Sequence, residues 1–165
     1  MTVFLLQWAV FLFLVGLILS LPLGAIYYLH MPQVKQFFTN PRKLRSAHLD
    51  FFMQAFSIGL VSLLEVGMNI NIPIYVVTPL AFGTFFNPFI FLLEATPLFK
   101  TNIINIFCNL LKGVSPTSLF FAWFMILILY LPIYFLWLII GLVIIFLIAF
   151  AFYKKDASAN RSIYD

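Results

Sequence analysis

One stretch of the chain, from Leu119 to Tyr153, runs for about 35 residues without a charged side chain. As a single helix it would be about 50 Å long, which exceeds the thickness of the hydrocarbon core of a bilayer. Hydrophobic residues make up 64% of the whole chain and charged residues 8%, whereas soluble domains carry about 25% charged residues. Because a water-soluble fold of 165 residues cannot hide so much apolar surface, the chain is predicted to lie in a lipid bilayer.

The apolar runs predict an all-α membrane bundle. Backbone groups in lipid must be hydrogen-bonded internally, which leaves helices or a closed barrel, and these runs do not alternate with polar residues as barrel strands do. We predict a single domain over residues 1–153, with a short interfacial amphipathic helix at about 99–112 and a polar tail at 154–165. Four transmembrane helices are predicted, at about 3–28, 47–68, 72–95 and 117–153.

The last apolar stretch leaves the number of spans open. It predicts either one long helix kinked at Pro132 or two shorter spans, and the absence of a polar turn around Pro132 favours one helix. With four spans the first and third loops share one side of the membrane, which the positive-inside rule assigns to the cytoplasm. The membrane itself is predicted to be a bacterial inner membrane. The tail cations Lys154, Lys155 and Arg161 conflict with this assignment, and a fifth span would remove the conflict.

Several partners and site types are excluded by composition. The nine cations are too few and too dispersed to predict a nucleic-acid partner. Cys108 is the only cysteine, so neither an intrachain disulfide nor a cysteine-based metal site is expected. No hydrolase, kinase or dinucleotide-binding motif occurs in the sequence.

The candidate for chemistry is His48, which follows a basic cluster at the predicted start of the second span. An imidazole can serve as an iron ligand, and the cluster supplies cations of the kind that haem propionates bind. From the residues alone, an interfacial histidine without a ligand is the alternative. The cluster consists of Arg42, Lys43 and Arg45.

The carboxylates of the spans are predicted to have structural roles. Asp50 lies close enough to the start of its span to cap the helix or to pair with a nearby cation. Glu65 and Glu94 lie near span ends and are predicted to be interfacial, with Glu94 able to meet Lys100 or the first-loop arginines.

The segments Arg45-Ser46-Ala47-His48, Gln54-Ala55 and Gly59-Leu60, together with Gly83-Thr84-Phe85-Phe86, resemble the styrene-oxide isomerases. The resemblance implies a membrane homotrimer that binds haem b, with His48 as the axial ligand. It also implies that the iron acts as a Lewis acid on a small apolar epoxide, which is isomerised to an aldehyde.

The resemblance implies catalytic residues as well. Gln54 stands where the family has a substrate-orienting asparagine. The family's tyrosine and aspartate of span three are missing here, and Thr84 and Asn87 are the polar residues that stand near Gly83.

Two other functions are compatible with the sequence. The scarcity of polar groups fits a non-catalytic assembly partner or scaffold, and the broken third span fits, less well, a small transporter.

Overall fold

The computed structural model describes residues 2–100 and 102–161, and within these residues the regular elements are helices. Five of the helices are long and apolar enough to cross a membrane, so the predicted all-α membrane bundle is confirmed. A 3₁₀ turn, Pro97–Lys100, precedes the fifth helix. The helices in chain order are α1 (Thr2–Tyr27), the short α2 (Pro32–Phe37), α3 (Pro41–Gly67), α4 (Ile74–Ala95), α5 (Asn102–Tyr130) and α6 (Ile133–Arg161).

Two long helices replace the predicted single helix over 117–153, as in the alternative with a fifth span. Helix α5 ends at Tyr130 and α6 begins at Ile133. Pro132 has no backbone N–H and disfavours a helical conformation at Leu131, which explains a break without a polar turn. Helix α6 continues to Arg161 through most of the predicted tail, and residues 162–165 lie outside the described part of the chain.

The predicted interfacial helix at 99–112 is not separate from the span that follows it. Helix α5 begins at Asn102 and continues through Gly113 and Pro116. Thr117 Oγ1, one residue after Pro116, donates a hydrogen bond to the carbonyl oxygen of Gly113 at 2.7 Å within the same helix.

The basic cluster lies on a helix instead of in the first loop. Asn40 caps α3, since its side chain accepts a hydrogen bond from Lys43 N at 3.3 Å, and Pro41 occupies the first turn. The helix therefore begins six residues before the predicted span at 47. Ser46 lies inside the helix, and its hydroxyl donates a hydrogen bond to Arg42 O.

Helices α1 and α3 run antiparallel and share an apolar core. Leu12, Leu19 and Ile26 repeat at every seventh position of α1, and all three are buried. Such a repeat keeps one face of a helix against its neighbour over several turns. The facing row on α3 consists of Leu44, Ala47, Phe51 and Ala55.

Helix α4 remains one helix although it contains Pro79 and Pro88. It approaches α5 closely at Gly83, where an added Cβ would lie 2.9 Å from Leu119 Cβ and 3.0 Å from Ser115 O. The hydroxyl of Ser115 donates to Gly83 O at 3.2 Å. Close backbone contact plus a hydroxyl hydrogen bond is a common way of joining membrane helices.

Contacts divide the chain into two compact units, and the single domain over 1–153 stays a prediction. The first unit, Met1–Trp123, contains α1 to α4 and most of α5. The second, Phe124–Asp165, contains the end of α5 and the apolar α6. All the candidate site residues belong to the first unit.

Candidate functional site

Helix α3 presents the predicted site residues on different faces. On an ideal helix His48 and Arg45 are about 60° apart, whereas His48 and Gln54 are about 120° apart. In the structure His48 contacts α1, and Gln54 contacts Asp50, which in turn contacts α4. The predicted iron ligand and the predicted catalytic amide therefore have separate surroundings within one chain.

The imidazole of His48 is held against α1. Its Nδ1 lies 2.8 Å from the carbonyl oxygen of Gly16. Because a carbonyl oxygen can only accept a hydrogen bond, Nδ1 carries the proton, and Nε2 is the nitrogen that could bind a metal ion. The ring of Phe52 packs edge-on against the imidazole, with 4.8 Å between ring centroids. Histidines that bind metals commonly donate their other N–H to a carbonyl group in this way.

A groove of about 520 Å³ lies beside His48, between α1 and α3. Its volume falls in the range of about 300–1,000 Å³ that ligand pockets occupy. The side chains of Leu23, Leu49 and Tyr27 contribute to its wall. At Gly24, also in the wall, an added Cβ would meet no atom within 4 Å, so the backbone there faces open space. The groove thus offers an imidazole together with an apolar slot.

The two arginines of the basic cluster line two different grooves. Arg45 lines the groove beside His48 and supplies it with a cation. Arg42 lines a second groove of about 430 Å³ together with His30 and Lys35. Of the predicted cofactor-binding cations, Arg45 is therefore the one that shares a groove with His48.

Lys43 turns away from His48 and pairs with α4. Its Nζ lies 2.6 Å from Oε2 of Glu94, and Nζ of Lys112 on α5 lies 2.6 Å from the other oxygen. The Lys43 ammonium also lies 5.0 Å from the ring centroid of Phe91. Lys43 and His48 are about 140° apart on an ideal helix, which explains why they serve different neighbours.

Gln54 and Asn87 meet at a carboxylate. Gln54 Nε2 donates to Asp50 Oδ1 at 3.1 Å, and Asn87 Nδ2 donates to Asp50 Oδ2 at 3.2 Å. The sequence predicts that Asp50 caps its helix or pairs with a cation, but Asn40 is the cap and Asp50 accepts hydrogen bonds from two side-chain amides. The i, i+4 spacing of Asp50 and Gln54 could have indicated the first contact. Nothing in the sequence signalled the second, because Asn87 lies 37 residues further along.

Thr84 joins neither group. Its buried hydroxyl donates to Leu80 O at 2.8 Å and accepts from Trp8 Nε1 at 3.4 Å. The structure therefore places this predicted catalytic residue in the contact between α4 and α1.

Among the side chains that the structure describes, no group of three His, Cys, Asp or Glu could hold a bare metal ion. A haem iron, in contrast, is held by as few as one axial side chain, so His48 alone suffices as a protein ligand. No protein-family model matches the chain, and comparison with curated proteins and with solved structures gave no match. The resemblance to styrene-oxide isomerases stays a prediction.

Proposed function

We propose that this integral membrane protein binds haem b in the groove between α1 and α3, with His48 Nε2 as the iron ligand. The observation that carries the proposal is the 2.8 Å hydrogen bond from His48 Nδ1 to Gly16 O. It fixes the tautomer with Nε2 unprotonated in the neutral ring, and it restrains the orientation of the imidazole.

The residues around His48 are of the chemical types that bind a haem. Arg45 can pair with a propionate, because a guanidinium forms two parallel hydrogen bonds with a carboxylate. Leu23 and Leu49 provide apolar surface for the macrocycle, and Gly24 leaves room for its close approach. Lys43 is assigned no part in this site because it pairs with Glu94.

We further propose the activity that the resemblance implies, the isomerisation of a small apolar epoxide to an aldehyde. Bound haem would supply a Lewis acid for the epoxide oxygen. Gln54 and Asn87 hold Asp50 on another face of α3, so within one chain they do not line the groove of His48. Their participation would require the groove of a second copy, which agrees with the homotrimer implied by the resemblance.

We also infer that the first and third loops lie on the cytoplasmic side of a bacterial inner membrane. The two loops lie at the same end of the first unit, since Asn40 N donates to Ala95 O at 3.2 Å. The cations Lys43 and Lys112 lie at this end as well, as the positive-inside rule requires.

The test of haem binding is the visible spectrum of the protein purified in mild detergent after haem supplementation. Wild type should show a Soret band that His48→Asn loses, because asparagine can still donate to Gly16 O but offers no imidazole. His30→Asn is the matched control. His30 has a φ of 49°, a conformation that asparagine also tolerates, so this variant should keep the band.

A wild-type preparation without a Soret band would refute haem binding and favour the non-catalytic assembly partner. If the Soret band survives in His48→Asn but disappears in His30→Asn, the iron ligand is His30 and the assignment to His48 is wrong. Activity is measured separately, as aldehyde formed from a small aryl epoxide by the haem-loaded protein. A haem-loaded wild type that forms no aldehyde would refute the isomerase while leaving haem binding intact.

A further inference from the structure

The groove of about 430 Å³ that Arg42 lines is formed by the end of α1, the short α2 and the start of α3. Lys35 of α2 and Arg42 of α3 line it from two helices, and His30 lines it from the connection between α1 and α2. Its apolar wall includes Ile26 and Tyr27, the last two residues of α1. Three side chains that carry N–H donors therefore reach one groove from three parts of the chain.

Backbone hydrogen bonds fix both ends of the loop that forms this groove. His30 has a φ of 49°, and just after it Met31 N donates to Ala25 O at 3.0 Å, which holds the chain against the end of α1. At the other end of the loop, Asn40 N donates to Ala95 O at 3.2 Å. The groove is thus formed without a ligand, and a preorganised site loses less free energy when it binds one.

The positive charge of Lys35 and Arg42 is not compensated within the part of the chain that the structure describes. Both residues are exposed, and the ion pairs found there involve other lysines. The described carboxylates have partners elsewhere, since Asp50 accepts from two amides, Glu65 from a backbone N–H, and Glu94 pairs with two lysines. None of these carboxylates lines the groove, which leaves it two uncompensated cations.

The groove lies at the depth where lipid headgroups meet the hydrocarbon core. The apolar span of α1 ends at Tyr27, and tyrosine is typical of this zone. Met31 and Phe37 are exposed on either side of Lys35. Exposed apolar residues beside a cation on a short helix are typical of a segment that lies in the membrane interface.

We propose that this groove binds the phosphate of an anionic phospholipid. Arg42 holds the phosphate by two parallel hydrogen bonds from its planar guanidinium, and Lys35 supplies the second positive charge. The acyl chains leave the groove past Tyr27 toward the hydrocarbon core.

Charge and depth select the ligand. Two uncompensated cations favour a headgroup with a net negative charge over a zwitterionic one, and basic pockets of membrane proteins bind anionic lipids in this way. The position at headgroup depth favours a lipid over soluble phosphate. Tyr27 also lines the groove of His48, but the cations of the two grooves differ, so the inference does not depend on the binding of haem.

The test is native mass spectrometry of the protein in a neutral detergent, with equal amounts of phosphatidylglycerol and phosphatidylcholine. Wild type should retain phosphatidylglycerol preferentially. Arg42→Gln should lower that preference about fivefold, and Lys35→Gln with Arg42→Gln about 25-fold, because each cation near a membrane surface contributes about 1 kcal/mol. Arg45→Gln is the matched control, since it removes the same charge from the same helix but from a different groove, and it should keep the preference.

Arg42→Lys separates the specific contact from general attraction. It keeps the charge but loses the planar pair of donors, so its preference should lie between those of wild type and Arg42→Gln. Equal retention of phosphatidylglycerol by wild type and by the double variant would overturn the proposal, as would an equal loss in Arg42→Gln and Arg45→Gln. Displacement of the lipid by millimolar inorganic phosphate would assign the groove to a soluble anion and overturn the lipid assignment.

Discussion

The Nδ1 atom of His48 on α3 and the carbonyl oxygen of Gly16 on α1 form a 2.8 Å hydrogen bond between two antiparallel helices. An added Cβ at Gly16 would lie 3.1 Å from the ring of Phe52, which itself packs against the imidazole. The same hydrogen bond joins α1 to α3 and sets the tautomer of His48. Its contribution to the free energy of unfolding can therefore be measured without haem.

Replacement of His48 by leucine should destabilise the haem-free protein by about 0.5–1.5 kcal/mol, the usual net contribution of a hydrogen bond. His48→Asn should lose less stability than the leucine variant, because the asparagine amide can donate a hydrogen bond to Gly16 O. The measurement is the free energy of unfolding in mixed detergent micelles, followed by far-ultraviolet circular dichroism. If the leucine variant equals or exceeds the asparagine variant in stability, the hydrogen bond contributes nothing to the fold.

The Asp50–Asn87 contact should couple α3 to α4. Asp50→Ala and Asn87→Ala each remove one partner of a 3.2 Å hydrogen bond, and the double variant removes both. Coupling energies between membrane helices are typically about 0.6 kcal/mol and reach about 1.7 kcal/mol. We expect a value toward the upper end because the acceptor is a carboxylate, and a double-mutant cycle on unfolding free energies measures it. Strict additivity of the two losses would show that the contact is energetically silent.

The local part of the site could be predicted from the sequence, and the long-range part could not. The cap chemistry of Asn40-Pro41 accounts for the start of α3, although the span was predicted only from about 47, and a spacing of three residues on one helix places Arg45 and His48 in one groove. Helical spacing turns Lys43 away from His48, but the pairing of Lys43 with Glu94 on α4 has no signal in the nearby sequence.

The carboxylates show the same limit. Proximity to a helix start predicted a cap or a cation as the partner of Asp50, but its partner on α4 lies 37 residues away. Position near a span end predicted an interfacial Glu65 but not its partner: Glu65 is 1% exposed, and its Oε1 accepts a hydrogen bond from the backbone N–H of Ile72. The pairing of Glu94 with Lys112 depends on how closely α4 and α5 approach, which sequence periodicity does not encode.

The contact between α4 and α5 should be sensitive to a single methyl group. Gly83→Ala would place its Cβ 2.9 Å from Leu119 Cβ and 3.0 Å from Ser115 O, so the helices must separate. Overpacking of this kind costs about 1–3 kcal/mol. Gly59→Ala is the matched control on α3, because its Cβ would meet no atom within 4 Å, and alanine in an open helix position gains up to about 1 kcal/mol.

The two alanine variants are compared by their unfolding free energies in the same detergent. Gly83→Ala should lower the value, and Gly59→Ala should leave it unchanged or raise it. A Gly83→Ala variant as stable as wild type would mean that α4 and α5 do not approach as closely as the structure shows.

The turn between α3 and α4 depends on Glu65. Asn69 has a φ of 51°, which ends α3, and the following residues return toward the helix through Ile72, whose N–H donates to Glu65 Oε1 at 3.2 Å. Glu65→Leu removes that acceptor and leaves a buried N–H without its partner, at a cost of about 1–3 kcal/mol. Glu65→Gln retains an acceptor oxygen at the same place and should cost less.

Hydrogen exchange at the amide of Ile72 gives a local measurement of the same contact. The exchange rate should rise in Glu65→Leu and stay near the wild-type rate in Glu65→Gln, because only the leucine removes the acceptor. A global loss of stability would instead raise exchange throughout α3 and α4 in both variants. Equal exchange at Ile72 in wild type and Glu65→Leu would show that the carboxylate does not hold this turn.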